Sequence, residues 1–144
     1  MSVDPRTLGW LARALTHEMS TVQQYLAQSV LARLWGDEAL AVHLREEAAG
    51  ELGHAERLME ALIRAGVAPS AGSLMPARLG RSTDALLAAD HQIELDAVRL
   101  YQQAQAHAER MRDEEMAALF ASILRDEMAH VNELNDLAGE NARG

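Results

Sequence analysis

Two short motifs hold the residues best suited to chemistry, Glu51-Leu-Gly-His54 and Glu127-Met-Ala-His130. On a helix, Glu-x-x-His sets an oxygen and a nitrogen on one face, one turn apart, where both can grip the same cation. One such motif says little, because a chain of this composition produces roughly 0.6 of them by chance. The wider pattern says more. Glu18, Glu51 and His54 recur as Glu94, Glu127 and His130 at a constant offset of 76 residues, and Tyr25 recurs as Tyr101 at the same offset. The chain therefore reads as an internal repeat of a metal-binding hairpin. Four ionised carboxylates buried together would cost many kcal/mol through desolvation and mutual repulsion, and two divalent cations would cancel their charge. Oxygen-rich ligation with two imidazoles suits iron or manganese better than magnesium.

These residues need helices to bring them together, and the sequence supplies four. Ala, Leu, Glu, Arg, Met and Gln dominate, and no run alternates like a strand. A first helix is expected from an Asp4 cap and Pro5 to about Trp35, with Gly36 and Asp37 making a tight reversal. A second runs from about Glu38 to Ala65, capped by Gly66. Pro69, Gly72, Pro76 and Gly80 then forbid helix until a Ser82 or Thr83 cap. The third helix runs to about Arg110, and the fourth from about Asp113 to Ala138, closed by Gly139. The connection of roughly 17 residues can reach roughly 55 Å, whereas a 27-residue helix is roughly 40 Å long. The loop can thus cross the bundle, as in the single-crossover variant of the four-helix bundle.

Read at three-four spacing, each helix has an apolar stripe broken near its middle by carboxylate. The stripes are Leu8, Leu11, Leu15, Glu18, Val22, Tyr25; Leu40, Leu44, Glu47, Glu51, His54, Leu58; Leu87, Asp90, Glu94, Ala97, Tyr101; and Phe120, Ile123, Glu127, His130, Leu134. Asp90 and Glu47 lie one turn from ligands, as side chains that orient a histidine or line a path inward, or as rim positions. His17, His43, His91 and His107 have no Glu three residues before them and read as surface or packing residues. Tyr25 and Tyr101 read as core aromatics or as redox participants near the metals.

The 144 residues suffice for a single domain spanning 1–144 with its own core. No cysteine is present, which removes disulfides, thiolate metal sites and a cysteine nucleophile. The net charge of −9 disfavours nucleic acid as a partner and attracts cations. Neither a secretory signal nor a membrane-spanning apolar run is evident, so a cytoplasmic protein without membrane contact is expected.

With Glu18, the Glu51-Leu-Gly-His54 motif, Glu94, the Glu127-Met-Ala-His130 motif, Tyr25 and Trp35 in place, the chain resembles the bacterioferritin branch of the ferritin-like superfamily over nearly its whole length. The resemblance implies an all-α, ferritin-like four-helix bundle of two hairpins joined by a crossover loop. It also implies two iron ions per subunit, with Glu51 and Glu127 bridging them, Glu18 and His54 completing one shell, Glu94 and His130 the other, and Tyr25 close by. The implied activity is a ferroxidase that oxidises Fe²⁺ with O₂ or H₂O₂ in iron storage or detoxification.

Three departures bear on that expectation. The family's haem methionine follows the first motif's glutamate, where this chain has Leu52, so no haem is expected. Glu46, Gly50 and Glu133 replace family residues that handle iron at the inner surface or follow the second motif. The short fifth helix of the family is missing, so the expected homo-oligomer is at least a dimer, with a full cage left open. The alternatives are a small erythrin-like di-iron oxidase or peroxidase that does not store iron, and a non-catalytic helical bundle.

Overall fold

The computed structural model describes residues 2–143. They form α1 (Pro5–Leu34), α2 (Glu38–Arg64), α3 (Thr83–Arg110) and α4 (Glu114–Arg143), and no strand occurs among the described residues. The helices group into two hairpin units. One is Leu8–Leu79, and the other is Val3–Thr7 together with the chain from Gly80 onward.

Both hairpin turns have the same construction. At the end of α1, Gly36 (φ 84°) donates to Arg33 O at 3.0 Å and Asp37 N to Ala32 O at 2.9 Å, the paired bonds of a left-handed helix terminus. Asp37 then caps α2 by accepting from Leu40 N at 3.1 Å, so one residue closes one helix and opens the next. At the end of α3, Arg112 N donates to Glu109 O and Asp113 N to Ala108 O, and Asp113 accepts from Met116 N at 3.1 Å. Arg112 occupies the left-handed position with φ 57°, where a side chain is normally disfavoured. These turns lie 76 residues apart, so the internal repeat extends from the ligands to the corners.

The first hairpin buries Leu11, Leu15, Val22 and Tyr25 of α1 and Leu44, Leu58 and Leu62 of α2. Ser29 Oγ donates across to Ala41 O at 2.7 Å. After Gly66, the extended chain lies along α1. A Cβ at Gly72 would sit 3.5 Å from Thr16 Oγ1, Met75 N donates to Ser20 Oγ, and Gln23 Nε2 donates to Met75 O. Further on, Arg78 N donates to Gln24 Oε1 at 2.6 Å, and its carbonyl accepts from Gln24 Nε2 at 2.7 Å and Gln28 Nε2 at 3.0 Å. The strap therefore runs in the direction of α1, as a crossover requires. It also explains two buried glutamines, whose amides satisfy strap backbone groups that no sheet or helix serves.

In the second hairpin α3 packs on α4, and Leu86, Leu87, Ala97 and Ala104 of α3 and Phe120, Ile123 and Leu134 of α4 are buried. Tyr101 and Phe120 meet with ring centroids 6.4 Å apart at 43°, a tilted pairing that aromatic quadrupoles favour. Ser82, extended at φ −151°, caps α3 by accepting from Ala85 N at 3.1 Å. The N-terminal stretch joins this unit through Asp4, which accepts from the backbone N–H of Arg6 and Thr7 at 3.0 and 3.1 Å, from the Thr7 hydroxyl and from His107 Nε2 at 3.2 Å. Burial pushes the Asp4 carboxyl up, but the Thr7 and His107 interactions outweigh it and hold it at about 2.

One boundary departs from the sequence expectation. The fourth helix does not close at Gly139 but continues to Arg143. Gly139 is not among the glycines with positive φ. A glycine kept in right-handed conformation costs about 1 kcal/mol without ending a helix. The added turn is held by Asn141, whose amide donates to Asp84 in the first turn of α3.

Candidate metal centre

In the first hairpin, Glu18 comes from the middle of α1 and Glu51 and His54 from the middle of α2. Each stands where the three-four stripe would otherwise place an apolar residue. Both carboxylates are fully buried and His54 nearly so. His54 Nδ1 lies 3.6 Å from Glu18 Oε1 and 3.5 Å from Glu51 Oε2. The second hairpin repeats this with α3 and α4: His130 Nδ1 lies 3.5 Å from Glu94 Oε2 and 3.6 Å from Glu127 Oε1. Within each set the three donor atoms lie within 4.8 Å of one another.

Those distances fit coordination better than an ordinary ion pair. Ligand atoms about 2.1 Å from a common ion stand roughly 3 to 3.5 Å apart at tetrahedral or octahedral angles. A charged imidazole hydrogen-bonded to a carboxylate closes to about 2.8 Å. In both sets one imidazole nitrogen is held almost equally far from two carboxylates.

Electrostatics point the same way. Desolvation by burial, then the neighbouring Glu51 carboxylate, push the Glu18 carboxyl well above its ordinary value, with His54 acting only partly against them. An acid that resists ionisation beside a second acid is a poor structural ion pair. It is a suitable ligand, since a divalent cation supplies the charge that makes both carboxylates favourable.

The other sequence candidates are placed as follows. Tyr25, Tyr101 and Asp90 are fully buried, and Glu47 is half-buried on α2. Sequence reasoning missed the engagement of His107 with Asp4, which are 103 residues apart. No local spacing signals that contact. His43, expected at the surface or in packing, is partly exposed and stands 3.9 Å from the Glu47 carboxylate four residues on.

Comparison with known proteins identifies the family. The Ferritin-like domain family matches residues 10–143. The bacterioferritin of Rhodobacter capsulatus is 30% identical over 132 residues, covering 92% of this chain and 82% of that protein. The bacterioferritin of Brucella melitensis is 31% identical over 132 residues with the same coverage of each. A solved Rhodobacter capsulatus bacterioferritin, described with a metal-free dinuclear site and haem iron in a crystallographic special position, superimposes with a TM-score of 0.96 at 29% identity. That superposition covers 99% of this chain and 89% of the other, so the two hairpins make a ferritin-like four-helix bundle. The chain belongs to the ferritin-like family and, within it, is a relative of the bacterioferritins.

Proposed function

We propose that Glu18, Glu51, His54, Glu94, Glu127 and His130 together form a dinuclear centre where ferrous ions are oxidised by O₂ or H₂O₂, and that the protein serves iron storage or detoxification. The observation that carries this is the repeated three-donor set, with one imidazole nitrogen held between two buried carboxylates in each hairpin. In this reading Glu51 and Glu127 bridge, Glu18 and His54 hold one ion, and Glu94 and His130 hold the other. Bridging carboxylates would keep the ions roughly 3.5 to 4 Å apart, a spacing one oxidant can span. Ferrous ion is the substrate: two ions give up one electron each, and H₂O₂ with two protons becomes two waters. The protein's contribution is a dry, fixed donor set whose four negative charges favour the higher oxidation state.

Haem has no place in this reading. The face of α2 that carries Leu52 offers an exposed aliphatic side chain at the position next to Glu51, and an aliphatic group has no donor atom for iron. A homo-oligomer in the cytoplasm completes the proposal, since exposed Leu34 and Leu52 and half-buried Met59 gain from meeting another copy. No helix of the described residues is long and apolar enough to cross a membrane.

A second reading, an erythrin-like oxidase or peroxidase that retains its metals, is favoured by exposed Glu46 and Gly50, which replace the residues expected to pass iron to a store. An anaerobic Fe²⁺ titration followed by air, with particle mass measured before and after, tests both. Oxidation of many ions per chain within a large particle supports storage. Two ions cycling in a small particle support the oxidase, and no uptake refutes the centre.

A further inference from the structure

The stripe that carries the first ligand of each hairpin is nearly the same in both copies. Leu11, Ala14, Glu18 and Tyr25 on α1 correspond at 76 residues to Leu87, Asp90, Glu94 and Tyr101 on α3, and all of them are buried. They differ only at Ala14 and Asp90, each of which is 0% exposed. The position is therefore equally dry in the two hairpins, and a methyl group suffices for packing in one of them. A carboxylate in the other carries a desolvation cost that alanine avoids. Asp90 stands four residues before Glu94, so the two side chains share a helix face with Cβ atoms about 5–6 Å apart. The set Glu94, Glu127 and His130 thus has a further buried acid one turn away, where the set Glu18, Glu51 and His54 has a methyl group. Glu47 does not restore the balance. Its side chain is 16% exposed, with His43 Nε2 3.9 Å from its carboxylate, and its neighbour on α2 is Glu51, which both ions share in the proposed reading.

We infer that Asp90 makes the two metal positions unequal, so that the ion held by Glu94 and His130 binds first and more tightly than the ion held by Glu18 and His54. The inference rests on the dinuclear reading proposed above. Asp90 is a positioning residue: it acts on the ion through its charge and through Glu94, one turn away, and is not a ligand. The four ligand carboxylates balance two ferrous ions, and loss of one electron from each leaves two positive charges uncompensated. A fixed carboxylate beside Glu94 offsets one of them on that side, which favours the oxidised ion there. Even at a water-like dielectric, a unit charge about 6 Å from a divalent ion changes its binding by about tenfold, and a dry site enlarges the effect. Exposure alone gives the opposite order. The His130 side chain is 17% exposed and that of His54 7%, and water beside a site screens the attraction between ion and carboxylate. The order of filling therefore separates the two causes.

The test uses the full-length metal-free protein and Co²⁺ alone, a redox-inert probe located by anomalous diffraction. With one Co²⁺ per chain, the anomalous peak beside His130 should exceed the peak beside His54. Calorimetric titration should resolve two affinities at least about tenfold apart. Asp90→Asn keeps the size of the side chain and removes its charge. It should still bind two ions, with the tighter affinity weakened by at least about tenfold and the two peaks equal or reversed. Asp90→Ala, which copies position 14, should behave like the Asn variant. Equal filling in the unaltered protein, or filling of the His54 side first, would overturn the inference and leave the centre standing. So would an Asn variant with the parental affinities and order, since the acid would then act by shape or as a neutral group. If Ala equalises the two positions and Asn does not, shape rather than charge is responsible and the inference fails in the same way. No Co²⁺ uptake, or peaks beside neither histidine, would refute the dinuclear reading and the inference with it.

Discussion

Replacing Glu18 by Gln should make the metal-free protein more stable and the metal-loaded protein less stable. Gln keeps the shape and hydrogen-bonding capacity of the side chain but removes a charge that burial and Glu51 oppose. Leaving a buried polar group poorly compensated costs about 1–3 kcal/mol, more when it is charged. The metal-free variant should therefore gain at least about 1–3 kcal/mol near neutral pH, or roughly 3–10 °C in Tm for a chain of this size. With metal the sign reverses. Ligand binding to the folded state stabilises by about 2.7 kcal/mol at 100 times Kd and about 4.1 at 1,000 times. A variant with one anionic ligand fewer forfeits a large part of that. The effect also has a pH signature. A carboxyl whose folded pKa is raised destabilises at high pH, and that penalty fades as pH falls through the raised value toward the ordinary 4.5. Metal-free parent and variant should thus differ most near neutrality and converge near pH 4.5. Calorimetric melts of both proteins, with chelator and with Fe²⁺ under anaerobic conditions, measure all four corners. A metal-free Glu18→Gln that melts below the parent at neutral pH would refute the claim that these carboxylates repel one another in a dry site.

Other outcomes follow from the same structure. Anaerobic protein should bind two Fe²⁺ tightly per chain, and Glu51→Ala with Glu127→Ala should abolish this; retention of both ions in an elemental assay would misplace the bridge. The protein should purify without a Soret band and form no bis-methionine spectrum with added haem, whereas Leu52→Met should gain one; a stoichiometric six-coordinate band in the parent would contradict this. Asp4→Ala should cost about 1–2 kcal/mol through loss of a helix cap. Because the Asp4 carboxyl is held at about 2, that cost should persist down to about pH 3.8 and vanish only as pH falls through about 2, which urea melts across pH can follow. Arg112→Gly should raise stability by up to about 1 kcal/mol, since it relieves a left-handed side chain; a lower Tm would mean that the arginine side chain contributes more at the helix end than its backbone costs.

Much of the fold was legible because it depends on local chemistry. Asp4, Asp37, Ser82 and Asp113 announce helix starts through side chains that reach their own backbone, and Gly36 and Gly66 announce ends through φ values that other residues avoid. Gly139 misled because glycine permits a left-handed terminus without compelling it, and Asn141 found a partner on Asp84 that only the folded chain supplies. Arg112 hid a second turn of the Gly36 type, since nothing in an arginine signals positive φ. The clustering of Glu and His was legible because charge in an apolar stripe demands a partner, and because the repeat removed coincidence. The clasp of His107 on Asp4 and the burial of Gln24 and Gln28 were not, since each is satisfied by chain at least 50 residues distant.

The repeat is kept at the buried Glu and His clusters and abandoned at several other positions. The clustered Glu and His residues, the tyrosines and the hairpin corners all recur at 76 residues. By contrast, Asp90 corresponds to Ala14, His43 to Leu119 and Glu47 to Ile123. Ile123 is fully buried, as a core position should be, whereas the Glu47 side chain at the matching position is 16% exposed. A duplicated hairpin under packing constraint alone would keep apolar residues in both copies, because an aliphatic side chain there gains about 2 kcal/mol from burial. One copy instead carries an imidazole and a carboxylate there, His43 and Glu47, so packing alone does not account for the difference between the hairpins.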